Sequence, residues 1–302
     1  MRKKTERIVA ALCKEGIRYS LDFDTSLRSS FKIGGIARLA VFPDSESQLV
    51  RALSVIDGES FRCEIIGNAS NLLFAFDFFD GALIFTSGVA GLTLDGNRLT
   101  AGAGISLTHL SGVAAEQSLS GLEFAYGLPA LLGGAVYMNA GAYGGAMSDV
   151  IDYTLAYDRE RRELFRIYDN GFEYRRSRYM TTPSLVCLGA SLMLPYGDKT
   201  RIKEKMADNM RSRRENQPLE YPSAGSYFKR PVGYFAGKLI EDCGLKGLTV
   251  GGAGVSEKHA GFIINLGGAT YSDVLALEEK IKEKVLLAFG VELEREVRII
   301  SG

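Results

Sequence analysis

Gly121-Leu122-Glu123-Phe124-Ala125-Tyr126-Gly127-Leu128-Pro129-Ala130-Leu131-Leu132-Gly133-Gly134-Ala135-Val136-Tyr137-Met138-Asn139-Ala140-Gly141-Ala142-Tyr143-Gly144-Gly145 is unusually rich in glycine for so apolar a stretch. Glycine lacks a Cβ, so glycines spread among apolar and aromatic residues let the backbone run close to a partner. A flat apolar ligand with a polar tail suits such a surface; a tightly packed interior turn is the alternative. A second loop, Gly67-Asn68-Ala69-Ser70-Asn71, follows a strand predicted over 63–66. Its small residues can turn several N–H groups toward one anion, and Ser70 and Asn71 add side-chain donors. A plain polar turn is the alternative there. Neither loop is a dinucleotide fingerprint: Gly102-Ala103-Gly104 lacks the third glycine of GxGxxG, and no Walker A pattern occurs.

Around these loops the chain has the composition of a soluble globular protein. Its 302 residues, 46% hydrophobic and 24% charged, suffice for two or three domains with a large core. Lys+Arg and Asp+Glu are both 36, so no overall field favours nucleic acid or a membrane surface. No apolar run reaches the roughly 18 residues of a membrane span. The charged start, Met1-Arg2-Lys3-Lys4-Thr5-Glu6-Arg7, argues against a secretory signal and for the cytoplasm. Cys13, Cys63, Cys187 and Cys243 form no CxxC pair, which predicts buried free thiols in a reducing compartment. The two histidines, His109 and His259, belong to no HxxxH or Cys/His cluster, so no metal is expected. Acid–base chemistry then falls to other side chains or to a cofactor.

Periodicity predicts an α+β chain. A helix is expected over 44–57, with Ser45 and Gln48 at capping-box spacing and Leu49, Leu53 and Ile56 on one face. Further helices are expected over 106–118, 200–216, with a stripe at Ile202, Met206 and Met210, and 235–243. The strongest spans 272–289, where Val274, Leu277, Ile281, Val285 and Ala288 recur at three and four and Gly290 follows. Strands are expected over 82–86, 98–101, 151–157, 163–167, 185–194, 260–266 and 296–300.

Between the helices predicted over 200–216 and 235–243 lies Pro222-Ser223-Ala224-Gly225-Ser226-Tyr227-Phe228-Lys229-Arg230-Pro231, a loop shaped by proline and glycine that places a hydroxyl beside two cations. From Ser29-Ser30-Phe31-Lys32-Ile33-Gly34-Gly35 through the two glycine loops, Tyr174-Arg175-Arg176-Ser177 and this one to Glu294-Arg295-Glu296-Val297-Arg298, six motifs follow one another in order. In this order the chain resembles, nearly end to end, the UDP-N-acetylenolpyruvoylglucosamine reductase family. The loop Glu220-Tyr221-Pro222-Ser223-Ala224-Gly225-Ser226 and the lack of a long insertion are similar to the family's shorter, second type.

The resemblance implies a flavoenzyme of peptidoglycan precursor synthesis. Its fold would be an FAD-binding domain of the vanillyl-alcohol-oxidase type in two subdomains, 1–66 and 67–197, followed by a substrate-binding domain, 198–302. It implies that NADPH reduces FAD, and that the flavin then reduces UDP-N-acetylglucosamine enolpyruvate to UDP-N-acetylmuramate. NADPH would use the substrate cleft in turn, in keeping with the missing GxGxxG. The matched positions give Ser226 as proton donor, Arg175 as the cation opposite the developing charge, and Glu296 as the acid polarising the same group, either protonated or by holding Arg175. They give Gly67, Asn68, Ala69, Ser70, Asn71, Gly127, Pro129, Gly133 and Gly134 to the FAD pyrophosphate. Asn139, Gly141 and Tyr143 would flank the flavin, and Tyr174, Lys229 and Arg230 would assist substrate binding. Surface packing is the alternative for the last three. A covalent flavin link through His109 or Cys63 is not expected, and a monomer is.

The chain departs from the family pattern at two places. Ala69 replaces the second glycine of Gly-x-Gly-Ser-Asn, and Ala130 and Leu131 replace the glycine and hydroxyl of Gly-x-Pro-Gly-Ser/Thr-x-Gly-Gly. A lost hydrogen bond to a phosphate costs about 1.5–3 kcal/mol. Weaker FAD binding follows, and a non-catalytic UDP-sugar or flavin-binding homologue is the alternative. Retention of Ser226, Arg175 and Glu296 argues against it, since a binding module needs no such trio. An oxygen-using flavin oxidoreductase on the same fold is a third possibility, against which the 222–231 loop and the Glu296 tail argue.

Overall fold

The structure, a computed structural model, describes residues 2–302. Contacts divide the chain into two compact units that interleave in sequence. One takes the chain up to Asp22, then Arg38–Asn68 and Gly81–Arg211; the other takes Phe23–Ala37, Ala69–Asp80 and Ser212–Gly302.

In the first unit a four-stranded sheet is ordered Arg18–Asp24, Ile36–Phe42, Phe78–Phe85, Cys63–Ile66. The last two strands pair in parallel, Cys63 opposite Ala82 and Ile66 opposite Phe85. Helices Arg2–Lys14 and Glu46–Gly58 supply Ile8, Leu12, Leu49, Leu53 and Ile56 to a core shared with Leu39, Val41, Ala82 and Ile84. Ser45 caps the second helix as its sequence predicts: the hydroxyl accepts the Gln48 N–H, and the Gln48 side chain accepts the Asp44 N–H. A five-stranded antiparallel sheet follows, ordered Glu163–Ile167, Ile151–Asp158, Leu185–Met193, Arg98–Gly102, Leu92–Asp95. Helices Leu107–Glu116 and Leu132–Tyr137 bury Leu107, Leu110, Leu132 and Val136 with Leu192 and Leu194. On helix Lys199–Asn216, Ile202 and Met206 pack with Ala115, while Met210 is only half-buried.

In the second unit the antiparallel sheet runs Ser223–Ser226, Phe262–Asn265, Ala253–Val255, Thr249–Val250. Helix Tyr271–Phe289 buries Val274, Leu277, Ile281 and Val285, each stabilising by roughly 1.5–3 kcal/mol. Thr270 and Asp273 close a capping box at its start, and Gly290 ends it at φ +66°. Strand Leu72–Ala75 pairs in parallel with Arg298–Ser301. That pairing explains why a segment from the first third of the chain belongs to the C-terminal unit. The sequence cuts at 66 and 197 assume consecutive segments, whereas the compact units follow strand pairing. Strands Arg18–Asp24 and Leu72–Ala75 escaped the sequence pattern for physical reasons. The first is an edge strand with no fully buried residue, and the second is four apolar residues with no alternation.

Candidate active site

In the first unit Gly67 and Asn68, the start of the shorter loop, meet the longer glycine loop. A Cβ on Gly67 would stand 3.9 Å from the Gly134 Cα and the Leu131 Cβ. The Asn68 side-chain amide donates to the Pro129 carbonyl at 2.7 Å. The paired glycines after Leu132 then separate in role. A Cβ on Gly133 would meet that of Ala103 at 2.8 Å, and the Gly133 N–H donates to the Ala103 carbonyl at 2.8 Å, so this glycine serves packing. A Cβ on Gly134 would meet nothing within 4 Å, leaving bare backbone open to a ligand. Gly127 takes φ +78°, and its N–H donates to the Thr108 hydroxyl at 3.2 Å.

The departures from the family pattern are visible here. Leu131 is 7% exposed and gives helix Leu132–Tyr137 no side-chain cap. Ala69 takes φ +49°, a conformation that costs a residue with a Cβ about 1–2 kcal/mol. Ala130 does not share it. The cradle therefore fits a pyrophosphate through glycine backbone, Asn68 and the Gly127 turn, but lacks a hydroxyl donor at position 131.

A second cluster gathers residues 139–146 and 173–177. Gly141–Ala142 and Gly145–Ala146 form a hairpin whose two turn residues, Tyr143 (φ +50°) and Gly144 (φ +81°), have the signs of a type I′ turn. Across from it Glu173 and Arg176 exchange backbone hydrogen bonds of 3.1 and 3.2 Å, leaving Tyr174 and Arg175 at the tip. Arg175 takes φ +55° at the turn position that glycine or asparagine normally fills. The turn is anchored on three sides. Asn139, itself at φ +41°, donates from Nδ2 to the Glu173 carbonyl at 3.0 Å. Arg175 Nη2 donates to the Gly141 carbonyl at 3.0 Å, and Ser177 Oγ to the Tyr137 carbonyl at 2.7 Å. The Arg175 guanidinium lies 5.1 Å from the Tyr174 ring centre, within cation–π range. Strained backbone at Asn139, Tyr143 and Arg175 together is the pattern of a functional site over-determined by its surroundings.

The second unit holds the remaining residues. Ser226 ends its strand exposed, after a register shift between Ser223 and Ser226 and a Gly225 at φ +80°. Tyr227 turns inward, and its carbonyl accepts the Glu296 N–H at 2.9 Å, which puts Glu296 on the chain segment paired next to Ser226. Ser30 Oγ lies 2.7 Å from the Ser223 carbonyl and 3.1 Å from that of Ala69. Asn71 Nδ2 donates to the Glu296 carbonyl at 3.2 Å, and the Arg298 N–H to the Asn71 carbonyl at 3.0 Å. Lys229 pairs with Glu294, and the Arg230 guanidinium stacks 3.9 Å over the Phe235 ring.

The structure thus brings Gly67 and Asn68 to Gly127, Pro129 and Gly134, and Asn139, Gly141 and Tyr143 to Tyr174 and Arg175. In the other unit it brings Ala69, Asn71, Lys229 and Glu296 to the Ser226 strand, with Ser70 between Ala69 and Asn71. Sequence reasoning missed Thr108, Ser30 and Tyr227 as supports; isolated hydroxyls and a lone phenol give no signal. The cysteines are free, as expected, but Cys13 is exposed and the other three are half-buried rather than fully inside. Burial pushes the Cys63 thiol up to about 11 and the Cys187 thiol up to about 12, so neither is a ready nucleophile. Among the described residues no group of three or more His, Cys, Asp or Glu is placed to hold a metal ion.

Comparison with known proteins gives first the class. Residues 37–159 match the FAD binding domain, an interval that contains both glycine loops. Residues 217–300 match the UDP-N-acetylenolpyruvoylglucosamine reductase C-terminal domain, which contains Ser226 and Glu296. The chain is 43% identical over 291 residues to the UDP-N-acetylenolpyruvoylglucosamine reductase of Caldanaerobacter subterraneus subsp. tengcongensis, covering 96% of both. It is 44% identical over 294 residues to that of Caldicellulosiruptor bescii, covering 96% of this chain and 93% of the relative. The crystal structure of the Thermus caldophilus reductase superposes with a TM-score of 0.77 at 33% identity, covering 94% of this chain and 98% of the other. The chain belongs to the UDP-N-acetylenolpyruvoylglucosamine reductase family.

Proposed function

We propose that this chain reduces the enolpyruvyl ether of UDP-N-acetylglucosamine enolpyruvate to the lactyl ether of UDP-N-acetylmuramate, in peptidoglycan precursor synthesis, with NADPH as reductant. Bound FAD supplies the hydride-transfer chemistry between NADPH and the enol ether. Gly67, Asn68 and Gly134 hold the FAD pyrophosphate against backbone, with Ala69, Ser70, Asn71, Gly127, Pro129 and Gly133 shaping the two loops. Asn139, Gly141 and Tyr143 form the strained wall beside the flavin ring.

Addition to the enol's terminal carbon places negative charge on the substrate carboxylate. Arg175 offers a planar fork of N–H donors to that charge, and the strained turn holds the fork in place before reaction. Glu296 polarises the same carboxylate. Ser226 delivers a proton to the carbon beside the carboxylate; a serine is a weak acid in water and depends here on its setting and on the basicity of the charged substrate. Tyr174, Lys229 and Arg230 assist the substrate's anionic groups; Lys229 would exchange its Glu294 partner for phosphate. We place the enzyme in the cytoplasm as a monomer, with residues 1–66 and 67–197 as its flavin-binding subdomains and 198–302 for substrate.

The observation that most supports this reading is the exposed Ser226 beside the Glu296 segment, in a domain matched to the family. The test is a visible spectrum recorded anaerobically. A yellow protein should bleach with NADPH and recover its colour when UDP-N-acetylglucosamine enolpyruvate is added. A protein that binds FAD, bleaches, and stays bleached with the enol ether refutes the reaction. One that never takes up FAD refutes the cofactor assignment.

A further inference from the structure

Helix Tyr271–Phe289 turns one charged side chain into the core. Glu278 is 0% exposed, among Val274, Leu277, Ile281 and Val285, which are equally buried. A leucine would satisfy the helix pattern there and avoid burying a carboxylate. What Glu278 does instead is join two segments. Its Oε2 accepts from the Tyr227 hydroxyl at 2.8 Å and from the Arg295 Nε at 2.7 Å. Its Oε1 has no hydrogen-bond partner among the described residues, and the Lys282 ammonium lies 3.8 Å away. Burial, and then the Glu278 charge, push the Tyr227 phenol upward, so it stays protonated and donates throughout the working range.

Tyr227 directly follows Ser226, and Arg295 directly precedes Glu296. The two segments are also paired through backbone: Phe228 bridges Arg295, the Glu296 N–H donates to the Tyr227 carbonyl, and the Lys229 N–H donates to the Glu294 carbonyl at 2.8 Å. A pairing this short has weak register of its own, and a slip of one residue would send Glu296 to the other side. Two long side chains converging on a single buried oxygen permit one register only. The geometry points to Glu278 as a positioning residue for the reaction: it fixes Ser226 and Glu296 against each other through Tyr227 and Arg295.

This inference rests on the roles proposed above for Ser226 and Glu296. Those roles belong to reoxidation by the enol ether and not to reduction by NADPH, so rapid-mixing kinetics separate the halves. In Glu278→Leu the oxidative half-reaction should fall about 10- to 100-fold while flavin reduction stays within about twofold. Glu278→Gln, which keeps the shape and an acceptor oxygen, should recover most of the loss. Tyr227→Phe should give a smaller loss of the same half-reaction, and it decides the matter if Glu278→Leu does not fold. Equal slowing of both halves, or no change in either, would overturn the inference. Amide hydrogen exchange gives a readout independent of turnover. In Glu278→Leu the Glu296 amide should exchange at least about tenfold faster while the amides of Phe262–Asn265 hold. Unchanged exchange at Glu296 would overturn it even if the proposed reaction itself proved wrong.

Discussion

The turn bearing Arg175 and the strand bearing Ser226 each carry one side chain proposed above to act in the reaction, yet they are fixed by different means. The turn is held in strained backbone, with Asn139, Tyr143 and Arg175 all at positive φ, secured by hydrogen bonds to main-chain carbonyls. The strand has its glycine, Gly225, at the one position of positive φ, and the buried Glu278 beneath it joins the buried Tyr227 to the half-buried Arg295. The first solution stores conformational energy at the site itself. The second places the energetic burden in the core, where a charge must stay paired. Substitutions should therefore separate function from stability in the first region and couple them in the second.

The largest expected effect comes from the strand. Ser226→Ala should slow flavin reoxidation by the enol ether about 10²–10⁴-fold, leaving reduction by NADPH within about twofold. Equal modest effects on both half-reactions in stopped-flow traces would remove Ser226 from the donor role. Next comes the turn. Arg175→Gly removes a donor to developing charge and should lower kcat about 10²–10³-fold. It also relieves about 1–2 kcal/mol of backbone strain against a lost hydrogen bond of similar size. Its melting temperature should hence stay within about 3 °C of the parent. A large fall in melting temperature would show that the turn is not strained as its dihedral angles indicate.

A smaller effect tests the cradle. Leu131→Ser supplies the missing hydroxyl, and one charge-assisted bond to phosphate should tighten FAD binding about tenfold, measured by flavin fluorescence. No tightening would mean that position 131 does not face the pyrophosphate. The mildest effect contrasts the units by pH. Burial holds the His259 imidazole below its usual range, and its Nδ1 accepts the Gly261 N–H at 3.1 Å, which needs the neutral ring. The folded state then binds fewer protons than the unfolded chain. Stability present above the unfolded value of about 6.5 is lost as pH falls below it. His259→Gln should flatten that slope in chemical denaturation, and an unchanged slope would assign the acid sensitivity elsewhere.

Much of the second unit was legible because its signals are local. Helix Tyr271–Phe289 announced itself through the three-and-four spacing of Val274, Leu277, Ile281 and Val285 and through Gly290, and only Tyr271 and the Thr270 cap lay outside the predicted span. Glu278 broke that spacing by a charge that reads as solvated, and nothing nearby in sequence says otherwise. Its partners lie 51 and 17 residues away. The glycine loops could be picked out but not sorted. Gly133 and Gly134 are neighbours with the same side chain, and only the position of Ala103 makes one a packing residue and the other an open face.

The sequence by itself determined the family, the α+β class, the main helices and the candidate trio Arg175, Ser226 and Glu296, because ordered short motifs and periodicity are properties of neighbouring residues. The tertiary structure alone decided the rest. It paired Leu72–Ala75 with Arg298–Ser301 and so interleaved the two units. It put Ala69 and Arg175 at positive φ, and it buried Glu278 between Tyr227 and Arg295. Each of these depends on contacts between residues distant in the chain, whose closure no local pattern encodes.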